Sequence, residues 1–335
     1  MTPTPRDLLG VIAFFPQGIN EDNPDWLFPT IVDRRKIFDK FCLLSLTYRN
    51  DGFTTMLAPL RDYLCPKDPM SSPLLNKIKE CYFTRLSVHV DPDKPNFEES
   101  RWIISEDVNV EHLINVFTSI DADSVCVWDA CCNFLEHLYW HKPRLAVLGP
   151  RIEDLPDDHP SKLRCLVRLS WTFDSVGNSV ECKRLLDHSL KLWRERGDDS
   201  EVAQTLRYLA NANRRLGLHG EGIRRVREAL EIYDRLNDRT GQTRCLRWLA
   251  WLLYGDKQYD AAEEAAARAI DLGSETGDQY RVCQCYRLLG DICRSKGKIE
   301  EAIDHFENSF KLASEFNWDG QLSRNHHCMA QLFYD

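Results

Sequence analysis

Three arginines recur at intervals of 40 residues in the second half of the chain: Arg207, Arg247 and Arg287. A guanidinium group is planar and permanently charged, and it forms paired hydrogen bonds with carboxylate or phosphate groups. It also stacks on aromatic rings. Arginines repeated at one spacing therefore predict a surface for an anionic ligand. Arginines on helix faces are also often simply solvated, and that alternative stays open at this point.

Other patterns with catalytic or metal-binding potential lack the spacing that such chemistry needs. His137 and His141 are four residues apart, but Leu138 stands where a zinc protease helix has glutamate. The chain has no Cys-x-x-Cys pair, no phosphate-binding G-x-x-x-x-G-K-[ST] loop and no G-x-S-x-G elbow. Two further groups have adjacent rather than spaced side chains: Cys131-Cys132 and His326-His327-Cys328. We therefore predict a protein that is not an enzyme and holds neither metal nor cofactor.

The net charge of −9 is unevenly distributed. Residues 1–160 hold 16 Lys and Arg against 25 Asp and Glu, whereas the two classes balance in residues 161–335. Nucleic-acid binding requires an excess of basic residues, and neither half has one. We expect no nucleic acid partner.

The apolar stretch LLGVIAFF (residues 8–15) has three possible interpretations: a signal peptide, a membrane span or a buried helix. A span needs about 20 apolar residues. A signal peptide needs a basic leader and a small-residue cleavage site, but Arg6 is followed by Asp7 and the stretch ends at Pro16. We interpret it as protein core. The 13 cysteines, mostly in apolar runs, are typical of free thiols in a reducing compartment. The expected location is the cytoplasm, without a membrane partner.

The second half of the chain repeats with a period of 40 residues. Steps of 40 give four lines, 161–200, 201–240, 241–280 and 281–320, and a half line, 321–335. Each full line has apolar residues three and four positions apart, as in two amphipathic helices joined by a turn. Small residues occupy one column of each helix: Ser170, Ala210, Ala250 and Gly290 in the first, and Ser189, Ala229, Ala269 and Ser309 in the second. Glycine occupies a turn column at 177, 217 and 297, where the third line has Lys257 instead. Because one helix pair cannot bury its apolar face alone, we expect the pairs to stack into a solenoid.

These lines resemble the tetratricopeptide repeat. The segment YRLLGDICRSKGKIEEAIDHFENSF supplies Leu289-Gly290, Ala302, Phe306 and Ser309 at the family's spacing. A period of 40 exceeds the common repeat of about 34 residues, which implies longer helices. The resemblance implies an α-solenoid that binds proteins or peptides.

In tetratricopeptide arrays the first helices line the concave face, and the residue after the first leucine of the motif points into it. The resemblance therefore places the column Val167, Arg207, Arg247 and Arg287 in a groove, with Trp171 nearby. The partner-binding residues implied are Arg207, Arg247, Arg287, Asn211, Arg214, Trp251, Tyr254 and Arg294. The alternative is that carboxylates neutralise these cations, the candidates being Asp174, Glu201, Glu228 and Asp291.

The first 66 residues predict two helices, a hairpin and a third helix. The second helix is expected over 37–44, and the hairpin turns at Asn50-Asp51-Gly52. This order resembles the winged-helix module that follows the nucleotide-binding domain in NACHT and NB-ARC type STAND ATPases. The family's Met-His-Asp motif reads Met56-Leu57-Ala58 here, so the phosphate-sensing role of its histidine does not extend to Leu57.

Together the patterns predict a mainly all-α protein. We expect a winged-helix-like domain over 1–66, a helical spacer over 67–160 and a tetratricopeptide-like solenoid over 161–335. This order resembles the C-terminal part of a fungal-type STAND protein, and the resemblance implies a non-catalytic scaffold or ligand sensor of a signalling switch. The expected partner is a protein or peptide of acidic character, with a P-loop NTPase domain in the same or a separate chain as a second. Two alternatives stay open: a trans-acting part of a split STAND ATPase, and a purely structural helical scaffold.

Overall fold

The computed structural model describes residues 4–21, 33–67, 72–87, 97–138 and 148–332. Within these ranges the chain forms 17 α-helices and three short strands. It divides into two compact units, Met1–Arg168 and Leu169–Asp335. The predicted mainly all-α fold is confirmed. The predicted domain boundaries after residues 66 and 160 stay predictions.

The first unit contains a small antiparallel sheet and most of the shorter helices. Its elements are α1 (Pro5–Phe14), β1 (Ile19–Asn20), α2 (Arg34–Leu43), β2 (Tyr48–Asn50), β3 (Phe53–Thr55), α3 (Ala58–Lys67), α4 (Ser72–Leu86), α5 (Phe97–Ser105), α6 (Asp107–Ile120), α7 (Val125–Leu138) and α8 (Leu148–Asp154). The helix α9 (Lys162–Ser175) contains the boundary between the units.

The apolar stretch at residues 8–15 is buried, as predicted. Thr4 caps α1 through a capping box with Asp7, and Pro5 occupies the first helical turn. Leu8, Val11 and Ile12 are fully buried on one face of the helix. This stretch therefore belongs to the core of the first unit.

The hairpin predicted at residues 50–52 is present. Asp51 and Gly52 both adopt positive φ, as a tight hairpin turn requires. β3 pairs with β2 on one side and with β1 on the other. The strand β1 was not predicted from the sequence, since it is only two residues long. The assignment of this region as a winged helix stays a prediction.

A buried polar group ties the chain after α1 to α6. Asn109 is fully buried; its Nδ2 donates to the carbonyl of Gly18 (3.0 Å), and its Oδ1 accepts from the backbone N–H of Gln17 (3.1 Å). Asn109 Nδ2 also donates to Glu106, which accepts from Tyr82 as well (2.8 and 3.2 Å). Burial raises the pKa of Glu106. These hydrogen bonds join the N-terminal segment to the predicted spacer.

The second unit is a regular series of helix pairs. Its helices are α10 (Ser179–Arg196), α11 (Asp199–Arg215), α12 (His219–Arg235), α13 (Arg239–Gly255), α14 (Tyr259–Thr276), α15 (Gln279–Ser295), α16 (Ile299–Glu315) and α17 (Asp319–Leu332). Each packs against the next along the chain. The first helices α11, α13, α15 and α17 also contact one another in series. The closely spaced row of first helices forms one side of the solenoid, which we call the inner face.

The small-residue columns are buried at the helix crossings, as their types predict. Ala210, Ala250, Ala229 and Ala269 are fully buried. At Gly290 an added Cβ would lie 2.5 Å from the ring of Phe306 on α16, so only glycine fits there without a shift of that ring. The close crossing of α15 and α16 therefore depends on the absence of a side chain.

The turns within and between the repeats each contain one residue in the left-handed backbone conformation. Within repeats, Gly177, Gly217 and Gly297 have positive φ, and so does Lys257 (φ 61°). Between repeats the left-handed residues are Gly197, Asn237, Gly277 and Asn317. In three of these inter-repeat turns an aspartate caps the next helix: Asp198, Asp238 and Asp278. The 40-residue period thus repeats in backbone geometry as well as in burial.

Candidate ligand-binding face

The arginine column lies on the inner face, with each guanidinium on an aromatic ring. Arg207 of α11 stacks on Tyr208 at 4.4 Å, and Arg247 of α13 stacks on Trp248 at 4.1 Å. Arg287 of α15 lies 5.2 Å from the ring centroid of Trp251, one repeat back. Such contacts hold a guanidinium in a fixed orientation.

The three members of the column differ in exposure. Arg207 is 2% exposed and Arg247 is 6% exposed, whereas the side chain of Arg287 is 12% exposed. The sequence placed all three equally in a groove. The guanidinium groups of Arg207 and Arg247 also lie nearer to their rings, at 4.4 and 4.1 Å, than that of Arg287 does, at 5.2 Å. Their assignment to partner binding stays a prediction, and Arg287 is the most accessible of the three.

Arg214 joins the face at Trp251. Its guanidinium lies 5.7 Å from the ring of Trp248 and 5.9 Å from that of Trp251. It donates to Asn211 Oδ1 (3.3 Å), and Asn211 Nδ2 donates to Asp174 (3.2 Å). The pKa of Arg214 is lowered, first by burial and then by the neighbouring charge of Arg215.

Two buried carboxylates partly compensate the cations. Asp174 forms an ion pair with Arg215 at 3.0 Å. Asp291 lies 3.6 Å from Arg287 and 3.8 Å from Arg294. Burial raises the pKa of Asp291 despite both arginines. The sequence analysis left open that carboxylates neutralise the cations of this face. Asp174 and Asp291 do so in part.

Glu228 does not take part, because it pairs with Arg194, and both residues lie on second helices. The remaining predicted residue of this face, Tyr254, packs edge-on against Trp251 (6.0 Å) and shares a hydrogen bond with Ser295 (3.1 Å). Trp171 packs on Tyr208 at 5.0 Å. The structure thus places Asn211, Arg214, Trp251, Tyr254, Arg287 and Arg294 on neighbouring first helices.

Sequence reasoning missed Trp248, whose ring contacts both Arg247 and Arg214. A signal existed, since an aromatic residue directly follows the column arginine at both Tyr208 and Trp248. It also missed Arg281, which is 1% exposed and stacks on Tyr280 at 5.1 Å.

No group of three metal-binding side chains occurs among the residues that the structure describes, and His141 lies outside them. In the first unit the thiols of Cys132 and Cys165 lie 3.2 Å apart and are fully buried. The hydrogen bond with Cys165, and after it burial, raises the pKa of Cys132 well above its ordinary value, so the thiol stays protonated. No helix in the described ranges is long and apolar enough to cross a membrane.

Comparison with known families identifies the repeats. Residues 201–275 and 242–315 match the tetratricopeptide repeat family. Residues 201–315 are tetratricopeptide repeats. A comparison with curated proteins gave no match.

Several solved structures resemble this chain in fold. One is a STAND (signal transduction ATPase with numerous domains) protein with a tetratricopeptide repeat sensor from Pyrococcus horikoshii (TM-score 0.62, 14% identity). The match covers 100% of this chain and 48% of that protein, so this chain spans about half of its length. A second is a Rap protein complexed with competence and sporulation factor (TM-score 0.55, 14% identity, 87% of this chain and 76% of that one). A third is RapI in its apo form (TM-score 0.50, 11% identity, 77% and 70%). At these identities the likeness concerns the fold.

Proposed function

We propose that this chain is a non-catalytic protein-interaction module whose inner face binds an acidic protein or peptide. The observation that carries the proposal is the set of arginines held on aromatic rings of neighbouring first helices, with Arg214 and Arg287 both at Trp251. Tryptophan, tyrosine and arginine are the residues that most often dominate binding energy at protein interfaces. Stacked guanidinium groups lose little side-chain entropy on binding because their orientation is already fixed.

The chemistry of this face favours an anionic partner. Arg214 hydrogen-bonds an amide oxygen rather than a carboxylate, and Arg287 shares Asp291 with Arg294. An incoming carboxylate would form charge-assisted hydrogen bonds that these side chains do not make with each other. The aromatic rings beside them offer apolar area for the rest of the ligand.

We further propose that the module is the sensor portion of a STAND-type signalling switch in the cytoplasm. Its fold is similar to that of a STAND protein with a tetratricopeptide sensor, and to that of a Rap protein solved with competence and sporulation factor. In this proposal residues 1–66 form a winged-helix-like domain that engages a P-loop NTPase domain in the same or a separate chain. The hairpin β2–β3 beside three helices supports that assignment.

Two other functions make different predictions. A trans-acting part of a split STAND ATPase would associate with a separate P-loop domain without needing the inner face. A purely structural scaffold would bind no acidic ligand at the inner face, with or without Arg214 and Arg287.

The proposal is tested by selecting a displayed random-peptide library on the wild-type protein. We expect acidic sequences to be enriched, and we expect the enrichment to be lost on the Arg214→Glu/Arg287→Glu variant. The control is Arg235→Glu, since Arg235 lies on the second helix α12 and pairs with Asp199 (3.1 Å). The same sequences recovered on all three proteins would contradict the proposal. Circular dichroism confirms that each variant keeps its helices.

A further inference from the structure

One indole ring on the inner face is shared by guanidinium groups from both neighbouring repeats. Arg214 of α11 lies 5.9 Å from the ring of Trp251, and Arg287 of α15 lies 5.2 Å from it. Trp251 itself belongs to α13, between these two helices in the series. We call Arg214, Trp251 and Arg287 the Trp251 site.

Positive charge exceeds negative charge around the Trp251 site. The adjoining charged groups are Arg215 with Asp174, and Arg294 with Asp291. With Arg214 and Arg287, this set holds four guanidinium groups and two carboxylates, a formal excess of two positive charges. Arg214 donates its hydrogen bond to the neutral amide of Asn211. A ligand group with two negative charges would neutralise this excess, whereas a single carboxylate would leave one positive charge uncompensated.

The lowered pKa of Arg214 agrees with the excess of positive charge around the site. The pKa of its guanidinium is lowered by burial, and the charges of Arg215 and Arg287 lower it further, against the opposite effect of Asp174. The Nε donors of Arg214 and Arg287 are buried without a hydrogen bond. Both observations describe cations that gain from an added anion.

We propose that the Trp251 site binds a phosphate monoester carried on the peptide ligand. This rests on the proposed function and specifies which anion the inner face takes. A phosphorylated serine or threonine carries about −1.5 to −2 charges at neutral pH and three acceptor oxygens, enough for a guanidinium fork on each side. Both guanidinium groups lie within 6 Å of the centroid of the Trp251 ring, a contact that restricts their orientation.

The test follows the indole N–H signal of Trp251 by NMR, assigned from its loss in Trp251→Phe. Three probes are titrated at about pH 7.5, where the phosphate is mostly dianionic: a blocked Gly-phosphoserine-Gly peptide, the same peptide with glutamate in place of phosphoserine, and inorganic phosphate. We expect the phosphopeptide to bind about tenfold more tightly than either of the other probes. Arg214→Gln and Arg287→Gln should each weaken it about tenfold, because each removes charge-assisted hydrogen bonds.

Matched variants keep the test decisive. Arg235→Gln, on α12, should leave the affinity unchanged. Arg287→Lys retains the charge but loses the forked pair of donors, so we expect a smaller loss of affinity than with Arg287→Gln. The lysine variant replaces the glutamine variant in the test if Arg287→Gln disturbs folding. Equal binding of the phosphoserine and glutamate peptides would overturn the phosphate preference while leaving the proposed function intact. If inorganic phosphate bound as tightly as the phosphopeptide, the claim that the phosphate is carried on a peptide would be overturned. If no probe shifts the Trp251 signal, the site itself is refuted.

Discussion

Lys257 stands where the other repeats have glycine, and its replacement should stabilise the solenoid. Its φ of 61° is a left-handed backbone conformation, which the equivalent residues Gly177, Gly217 and Gly297 also adopt. Nothing lies within 4 Å of a Cβ built on any of these three glycines, so the difference between lysine and glycine here is one of backbone energy rather than of space.

The magnitude follows from two opposing effects. A residue with a Cβ loses about 1–2 kcal/mol in the left-handed conformation. Glycine offsets part of that gain because its unfolded chain has about 0.4–1 kcal/mol more entropy to lose. We therefore expect Lys257→Gly to raise the free energy of unfolding by about 0.5–1 kcal/mol, or the midpoint of thermal unfolding by about 1–4 °C.

Urea and thermal unfolding followed by circular dichroism measure this change. Lys257→Ala removes the same charge but keeps a Cβ, so it should give no comparable gain. The reciprocal variant Gly217→Lys should lose about as much as Lys257→Gly gains. The reasoning is refuted if alanine stabilises as much as glycine, since the cause would then be the lysine charge, or if Lys257→Gly destabilises the protein.

Three further changes should have measurable effects. Gly18→Ala should destabilise the first unit by about 3 kcal/mol in urea unfolding, because the added Cβ would lie 2.1 Å from the carbonyl oxygen of Thr54 and Gly18 has a φ of +79°. The pKa of His112 is lowered from 6.5 by burial and by Arg61, so the native state favours the neutral ring; this contribution to stability is complete above pH 6.5 and is lost as the pH falls from 6.5 through the folded pKa. Unfolding at about pH 8 and about pH 5 should therefore differ less in His112→Gln than in the wild type. Asp291→Asn should tighten binding of the phosphoserine peptide to the Trp251 site about three- to tenfold in the NMR titration, since it removes an anion that competes for Arg287.

Residue types that repeat at a fixed spacing predicted the solenoid well. Small residues such as Ala210 and Ala250 are buried at helix crossings, and the glycine column coincides with left-handed turns. These features are local: each depends on a helix and its immediate neighbours along the chain. The hairpin at Asp51 and Gly52 was predictable for the same reason, because its turn chemistry lies in consecutive residues.

Contacts between distant residues were beyond sequence reasoning. Asn109 binds the backbone at Gln17 and Gly18, more than 90 residues away, and no local pattern indicates that a buried amide will do so. The same holds for the candidate site. The sequence placed Arg207 and Arg287 in one column, but Arg207 stacks on Tyr208 of its own helix whereas Arg287 lies against Trp251 of the preceding repeat.

The most direct measurement of the central claim is a calorimetric titration of a short oligoglutamate peptide, with oligoglutamine of the same length as the neutral control. If the inner face binds acidic ligands, the wild type and Arg235→Gln bind oligoglutamate saturably, Arg214→Gln/Arg287→Gln binds it at least about tenfold more weakly, and none binds oligoglutamine. Equal affinity of all three proteins for oligoglutamate, or its complete absence in the wild type, would contradict the account.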